Sequence, residues 1–298
     1  MKKARVIYNP SSGREEGVKY LANILDTLEE MGYETSAFAT KGKGDATREA
    51  ERVTKLKFNL IVAVGGDGTV NEVVNGMAGK PYRPKLAILP LGTTNDFARA
   101  IGVPRDINKA LEVLKKKQSK AVDIGKMNDS YFINIAGGGS LTELTYEVPS
   151  KLKTAIGQLA YYLKGIEKIA SNKSFKVEIE TDGKVIEEEV MMFLVTNTNS
   201  VGGFEKLAPF ASYQDGYLDA LFVKKCNIAE FGKLMTLLLR GGHLNDPKII
   251  HFKTNNMVIR TEQDIQINLD GELGGMAPCN FEVLKKHIKV IVNQDFLN

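Results

Sequence analysis

Cysteine is nearly absent: Cys226 and Cys279 are the only two in 298 residues, far apart and in no metal-type spacing. Reduced thiols in a cytoplasmic setting are expected, with no disulfide framework. Histidine is scarce as well. His243, His251 and His287 are scattered, so neither a histidine metal cluster nor a phosphohistidine mechanism is indicated. No run approaches the roughly 18 apolar residues of a membrane span. The opening "MKKARVIYNP" has lysines but no apolar segment behind them, which predicts no secretory signal. Strong charge of one sign is also missing. A net charge of +4 does not argue for nucleic acid; it reads as a solvated exterior and is compatible with attraction to an anionic membrane surface. Repeats, low-complexity tracts and flexible linkers are absent.

What is present is an ordinary globular composition, 43% apolar and 26% charged, on a chain long enough for two modest domains. Residues 1–127 alternate short strands with amphipathic helices. "RVIYNP" reads as a strand ended by Pro10, and Leu21, Ile24, Leu25, Leu28 and Met31 then recur at helical spacing before Gly32. "ETSAFAT" is a strand; "DATREAERVTKL" is a helix with Ala46, Ala50 and Val53 on one face. "NLIVAV" is apolar on both faces, as a buried parallel strand should be. "TVNEVVNGMAG" groups Val70, Val73, Val74 and Met77, "KLAILPLG" is another buried strand, and "DINKALEVLKKK" another helix. This alternation predicts a three-layer α/β domain with a mostly parallel sheet, whose ligands sit at the carboxyl ends of the strands.

After residue 120 the pattern changes. "AVDIGKMNDSYFINIA" predicts a hairpin turning at Asn128-Asp129, and "FKVEIETDGKVIEEEVMMFLV" a clearer one, alternating Phe175, Val177 and Ile179 before Asp182-Gly183. Further strands are expected in "GYLDALFVKK", "NNMVIRTE", "DIQINLDGE" and "CNFEVLKKHIKVIVN", and helices in "AIGQLAYYLKGIEKIA" and "NIAEFGKLMTLLLRGG". Residues 128–286 therefore read as a mainly antiparallel, β-sandwich-like domain. Residues 287–298 form a C-terminal segment that could return to the first domain.

The stretch "IVAVGGDGTVNEVVNG" concentrates the chemistry. Glycines after a strand let backbone N–H groups approach a phosphate, yet Asp67 in the same loop would repel one. The dinucleotide fingerprint G-x-G-x-x-G fails at Asn71. The phosphate-loop pattern G-x-x-x-x-G-K-[ST] fails too, because Val74 stands five places before Gly79-Lys80 and Pro81 follows. Asp67 becomes reasonable if a divalent cation lies between it and the phosphates, since Mg²⁺ bridges carboxylates to substrate phosphates. "LPLGTTNDFARAIGVP" follows the next strand with Gly92, Thr93, Thr94 and Asn95, and adds Asp96, readable as a helix-terminus charge or as a metal contact. Asp123 in "AVDIGK" reads as a structural hydrogen bond. "INLDGELGG" puts Asp270 and Glu272 at i and i+2, which on a regular strand share a face. Such a pair suits general-base work, and an exposed Asp-Gly-Glu turn is the alternative.

In this order, "NPSSG", "GGDGTVNEVVNG", "LPLGTTNDFAR" and "NLDGE" resemble the diacylglycerol kinase catalytic family, and the chain is similar end to end to its soluble bacterial members. NAD kinases resemble it at GGDGT, but nothing like their downstream dinucleotide motifs follows. The resemblance implies a nucleotide site in the cleft between the two domains. ATP would be contacted by Asn9, Pro10, Ser11, Ser12, Gly13, Thr40, Gly66, Asp67, Gly68, Thr69, Val70, Asn71, Glu72, Thr93 and Asp96. It also implies a Mg²⁺ in "ASYQDGYLD", held by Asp215 with oxygens of Ser212 and Tyr217, and a water network shared by Asp67, Asp96 and Asp123. In this reading Glu272 accepts the proton of a lipid hydroxyl, and Asp270 and Asp67 complete the catalytic set.

The reaction implied is ATP- and Mg²⁺-dependent phosphorylation of diacylglycerol to phosphatidic acid. Another lipid acceptor, such as phosphatidylglycerol or a sphingoid base, is the alternative. An NAD kinase and a nucleotide or lipid sensor without turnover stand further off. The enzyme would be cytoplasmic, in transient peripheral contact with the inner membrane surface, and a homodimer is compatible with the sequence. Lys115, Lys116, Lys117 and Lys120 form a basic run, read as a solvated helix end or a face toward phospholipid.

Overall fold

Leu60–Gly65, the apolar stretch before the glycine loop, forms a strand buried at every residue, as its lack of alternation requires. In this computed structural model, residues 1–13, 16–139, 174–199 and 206–296 are described. The helix expected in "AIGQLAYYLKGIEKIA" lies outside them. The chain divides into two compact units. The first is Met1–Ile124 with Tyr131–Ile133 and Leu284–Asn298; the second is Gly125–Ser130 with Asn134–Val283.

In the first unit the order is β1 (Lys2–Tyr8), α1 (Glu16–Lys19), α2 (Leu21–Glu30), β2 (Tyr33–Ala39), α3 (Asp45–Lys55), β3 (Leu60–Gly65), α4 (Asp67–Ala78), β4 (Lys85–Pro90), α5 (Asp96–Ala100) and α6 (Ile107–Lys115). Its strands run parallel in the order β4-β3-β1-β2. Helix faces are buried where the 3.6-residue period places them: Ala46, Ala50 and Val53 on α3, and Val70, Val73, Val74 and Met77 on α4. Full burial of a Val or Met of this kind contributes about 1.5–3 kcal/mol. The glycine of "VVNG" has a packing reason. A Cβ on Gly76 would lie 2.3 Å from the Thr47 carbonyl oxygen and 2.7 Å from Ala50 Cβ, so α3 and α4 meet backbone to backbone only because it is glycine.

The second unit is antiparallel. Its strands are β7 (Ile135–Gly139), β8 (Phe175–Thr181), β9 (Lys184–Thr196), β10 (Leu218–Lys224), β11 (Ile249–Thr254), β12 (Asn256–Thr261), β13 (Gln266–Leu269) and β14 (Glu272–Met276). Among the described residues an α-helix, α7 (Ile228–Arg240), interrupts them; it starts at an Asn227/Glu230 capping box and ends at Gly241 with φ 78°. Hairpin β8–β9 turns at Asp182 (φ 48°) and Gly183 (φ 71°), the two left-handed residues that a tight Asp-Gly hairpin needs. Phe175, Val177 and Ile179 point inward as their alternation predicts.

Two strands belong partly to each unit. β5 (Ser119–Met127) turns at Asn128 (φ 51°) into β6 (Ser130–Phe132). β15 (Cys279–Ile291) pairs with β12 over Cys279–Glu282 and later with β4, Val290 facing Leu86. Between those pairings Lys286 adopts φ 48°, and its N–H donates to Asp123 Oδ1 at 2.6 Å. Asp123 is fully buried, so its carboxylate secures the bend in β15: the structural hydrogen bond expected of it.

Candidate active site

The four parallel strands end in register, and their loops are tied to one another by backbone hydrogen bonds. Thr40 N–H donates to the Tyr8 carbonyl, Asn9 N–H to that of Val64, and Leu91 N–H to that of Gly65. These bonds gather the segments after β1, β2, β3 and β4 at one sheet edge. "NPSSG" is a turn closed by Asn9, whose Oδ1 accepts from both the N–H and the hydroxyl of Ser11, each at 3.0 Å, with Gly13 at φ 61°. The two glycine loops touch. A Cβ on Gly92 would stand 2.5 Å from Gly66 Cα, and one on Gly65 would stand 2.5 Å from Thr69 Oγ1. Asp67, Gly68 and Thr69 form the first turn of α4, where helix geometry leaves backbone N–H groups without intrahelical acceptors.

Asp67 is engaged by the backbone of the neighbouring glycine loop. Its Oδ2 accepts from Asn95 N–H and its Oδ1 from Asp96 N–H, both at 2.8 Å. Asn95, at φ 51°, is also held by Gly92, which donates to Asn95 Oδ1 at 2.9 Å and accepts from its Nδ2 at 2.7 Å. The acid in the glycine loop therefore locks the next loop in place, and Asp96 is fixed as the buried first residue of α5. A carboxylate so close to a helix start is favourable by about 0.3–1 kcal/mol.

Glu72 is engaged in the same manner. Its two oxygens accept from the N–H groups of Gly44 (2.9 Å) and Ala46 (3.0 Å), capping α3, whose own cap residue is a glycine. Asp45 takes the N–H groups of Lys41 and Gly42, which hold its carboxyl below the usual range; the sequence reading passed over it. Val70 is in the core, and Asn71 Nδ2 donates to the Tyr131 carbonyl, so both side chains face inward. Thr93 is exposed on its loop.

Asp270 and Glu272 require a correction. They do not lie at i and i+2 of a regular strand. Asp270 (φ 50°) and Gly271 (φ 97°) are the two turn residues of hairpin β13–β14, and Glu272 opens β14 opposite Leu269. Asp-Gly chemistry prevails over strand alternation because Asp-Gly is one of the few pairs that adopt two left-handed residues cheaply. Asp270 Oδ1 accepts from the N–H groups of Asn134 (2.9 Å) and Ile135 (2.8 Å), which fixes the start of β7. Asn134 in turn accepts from Thr198 Oγ1 at 2.6 Å and, through its carbonyl, from Asn197 N–H at 2.8 Å. Asn134, Asn197 and Thr198 are buried polar residues that sequence reasoning missed. The polar run "TNTN" directly after an apolar strand was the available signal.

Ser212, Asp215 and Tyr217 lie in one loop of the second unit. Asp215 Oδ1 accepts from Tyr217 N–H at 3.0 Å, and Asp215 N–H faces the Ser212 carbonyl at 3.5 Å. Oxygen ligands and one carboxylate suit Mg²⁺, which keeps several waters. The other oxygen of Asp215 bonds the Lys253 ammonium at 2.6 Å. Among the described residues there is no group of three or more Asp, Glu, His or Cys able to hold a metal ion. Each histidine has a protein partner: His243 bonds the Leu207 carbonyl, His251 bonds Asp219, and His287 bonds the Ala78 carbonyl. In the basic run, Lys115 pairs with Glu30 and Glu112, Lys117 donates to the Met31 carbonyl and Lys120 to that of Phe296. No described helix is long and apolar enough to cross a membrane.

Residues 3–127 match the diacylglycerol kinase catalytic domain, and residues 144–292 match the YegS C-terminal NAD kinase beta sandwich-like domain. A diacylglycerol kinase of Bacillus subtilis is 55% identical over 99% of this chain and 98% of its own. The chain belongs to the diacylglycerol kinase family. That family is one of lipid kinases. A diacylglycerol kinase of Staphylococcus aureus is 50% identical over 100% of this chain and 94% of its own. The crystal structure of a putative diacylglycerol kinase from Bacillus anthracis superimposes with a TM-score of 0.87 at 33% identity, covering 99% of this chain and 97% of that one. The α/β domain followed by a β-sandwich-like domain is thus the family fold.

Proposed function

We propose that this protein transfers the γ-phosphoryl group of ATP, with Mg²⁺, to the free hydroxyl of diacylglycerol, giving phosphatidic acid. The observation that carries the reading is the pair of touching glycine loops locked by Asp67 at the carboxyl edge of the parallel sheet. Such an edge, with a helix N-terminus behind it, stabilises phosphate charge. Asn9–Gly13, Thr40, Gly66–Glu72, Thr93 and Asp96 would surround the nucleotide. Glu72 and Asn71 would act by shaping the loops, since their side chains bind other parts of the first unit.

Bound Mg²⁺ would neutralise charge on the phosphates, Asp67 being its nearest acid in this reading. Glu272 would take the proton of the lipid hydroxyl as it attacks, and Asp270 would hold the Glu272 turn through its bonds to Asn134 and Ile135. A second Mg²⁺ would sit with Ser212, Asp215 and Tyr217, in a structural role. The acceptor would be drawn from the membrane surface by a protein working on its cytoplasmic side. The test is direct: purified protein, radiolabelled ATP and a panel of diacylglycerol, phosphatidylglycerol, sphingosine and NAD in mixed micelles. Labelled phosphatidic acid as the dominant product supports the reading; labelled NADP without phosphatidic acid overturns it.

A further inference from the structure

Asp219 Oδ2 is the only buried carboxylate oxygen among the described residues without a hydrogen-bond partner. Asp219 stands on β10 at 1% exposure, and its Oδ1 is bonded to His251 Nε2 at 2.9 Å. A buried acceptor without a donor is costly, so a cation within reach of it is expected. That cation is Lys253 of β11, directly across the ladder from Asp219, with its ammonium 3.6 Å from Oδ2. Its shorter contacts, however, are elsewhere. It donates to Asp215 Oδ2 at 2.6 Å and to the Phe210 carbonyl at 2.7 Å, both in the loop of Ser212, Asp215 and Tyr217.

One ammonium thus stands between two carboxylates, bonded to the accessible one and merely near the buried one. A divalent ion on Asp215 would repel that ammonium with twice the force of a single charge. A shift of about 1 Å would bring the ammonium from 3.6 Å to bonding distance of Asp219 Oδ2 and complete its missing bond.

We propose that Lys253 is an intramolecular competitor for the cation of this loop, and that Asp219 Oδ2 is the acceptor to which its ammonium moves when a divalent ion takes Asp215. The proposal rests on the reading of Ser212, Asp215 and Tyr217 as a metal loop. Its consequence is regulatory: the exchange raises the free Mg²⁺ level at which the loop fills.

The experiment is Mg²⁺ titration calorimetry on the full chain without nucleotide, using wild type, Lys253→Met, Lys253→Arg and Asp215→Asn. Lys253→Met should bind Mg²⁺ roughly tenfold tighter or more, having lost a nearby positive charge. Lys253→Arg should bind no tighter than wild type, and Asp215→Asn should lose the binding. In wild type, the ¹⁵N signal of the Lys253 ammonium should move on Mg²⁺ saturation, which keeps the idea testable if Lys253→Met folds poorly. Unchanged affinity in Lys253→Met, equal gains in Met and Arg, or a stationary ammonium signal overturns the competitor while leaving an Asp215-dependent metal loop standing. Absence of Asp215-dependent Mg²⁺ binding in every variant overturns the metal loop, and the competitor with it.

Discussion

Asp67, in the first turn of α4, accepts the backbone N–H of Asp96, in the first turn of α5, at 2.8 Å. Its second oxygen does the same for Asn95, so one carboxylate joins two loops that leave adjacent strands. Any account of Asp67 as a metal or nucleotide contact has to include this anchoring.

Asp67→Asn is therefore expected to act twice. An amide can accept only one of the two N–H groups and turns a donor toward the other, a loss of about 1–3 kcal/mol. Thermal or urea unfolding should show that deficit, and ATP affinity should fall with it. Full stability with weakened ATP binding would assign Asp67 to the ligand alone.

Gly92→Ala should disturb the same junction from the other side. Its Cβ would meet Gly66 Cα at 2.5 Å, so the two loops must part. Overpacking of this kind costs about 1–3 kcal/mol. A folded Gly92→Ala protein should lose ATP binding, measured by calorimetry; undiminished affinity would sink the phosphate-cradle assignment.

Glu272→Gln and Asp270→Asn should separate. Glu272→Gln retains shape but cannot take a proton, so turnover should drop by about 10² to 10⁴ with ATP affinity and melting temperature near wild type. Asp270→Asn should melt lower, because Asp270 Oδ1 holds the N–H groups of Asn134 and Ile135. Near wild-type turnover in Glu272→Gln would remove it as the base.

Stability should fall with acid in a defined direction. Burial holds His243 and His287 below the ordinary histidine value of 6.5, partly offset by their bonds to the carbonyls of Leu207 and Ala78. The unfolded chain then binds protons more readily than the folded one. Their contribution is complete above about pH 6.5 and is lost as pH falls toward the folded values. Melting temperature should drop between pH 7.5 and 5.5, and His287→Gln should reduce the slope; an identical slope would exclude His287 as a contributor.

Local chemistry made much of this protein legible from its sequence. Apolar runs without alternation marked the buried parallel strands, the 3.6-residue period marked the buried faces of α3 and α4, and Asp182-Gly183 marked a hairpin. Each of these follows from neighbours in the chain, through side-chain periodicity or the φ angles a residue tolerates. The same rule misled at Asp270 and Glu272, where two patterns overlapped and the turn prevailed.

The destinations of the site carboxylates were decided only by the tertiary structure. Asp67 binds amides 28 and 29 residues away, Glu72 amides 28 and 26 away, and Asp270 amides 136 and 135 away. The sequence located those acids but could not name their partners, because a backbone N–H is chemically the same at every residue except proline and leaves no trace in the side-chain pattern. Only the packing of strand against strand determines which of these identical donors comes within 3 Å of which acid.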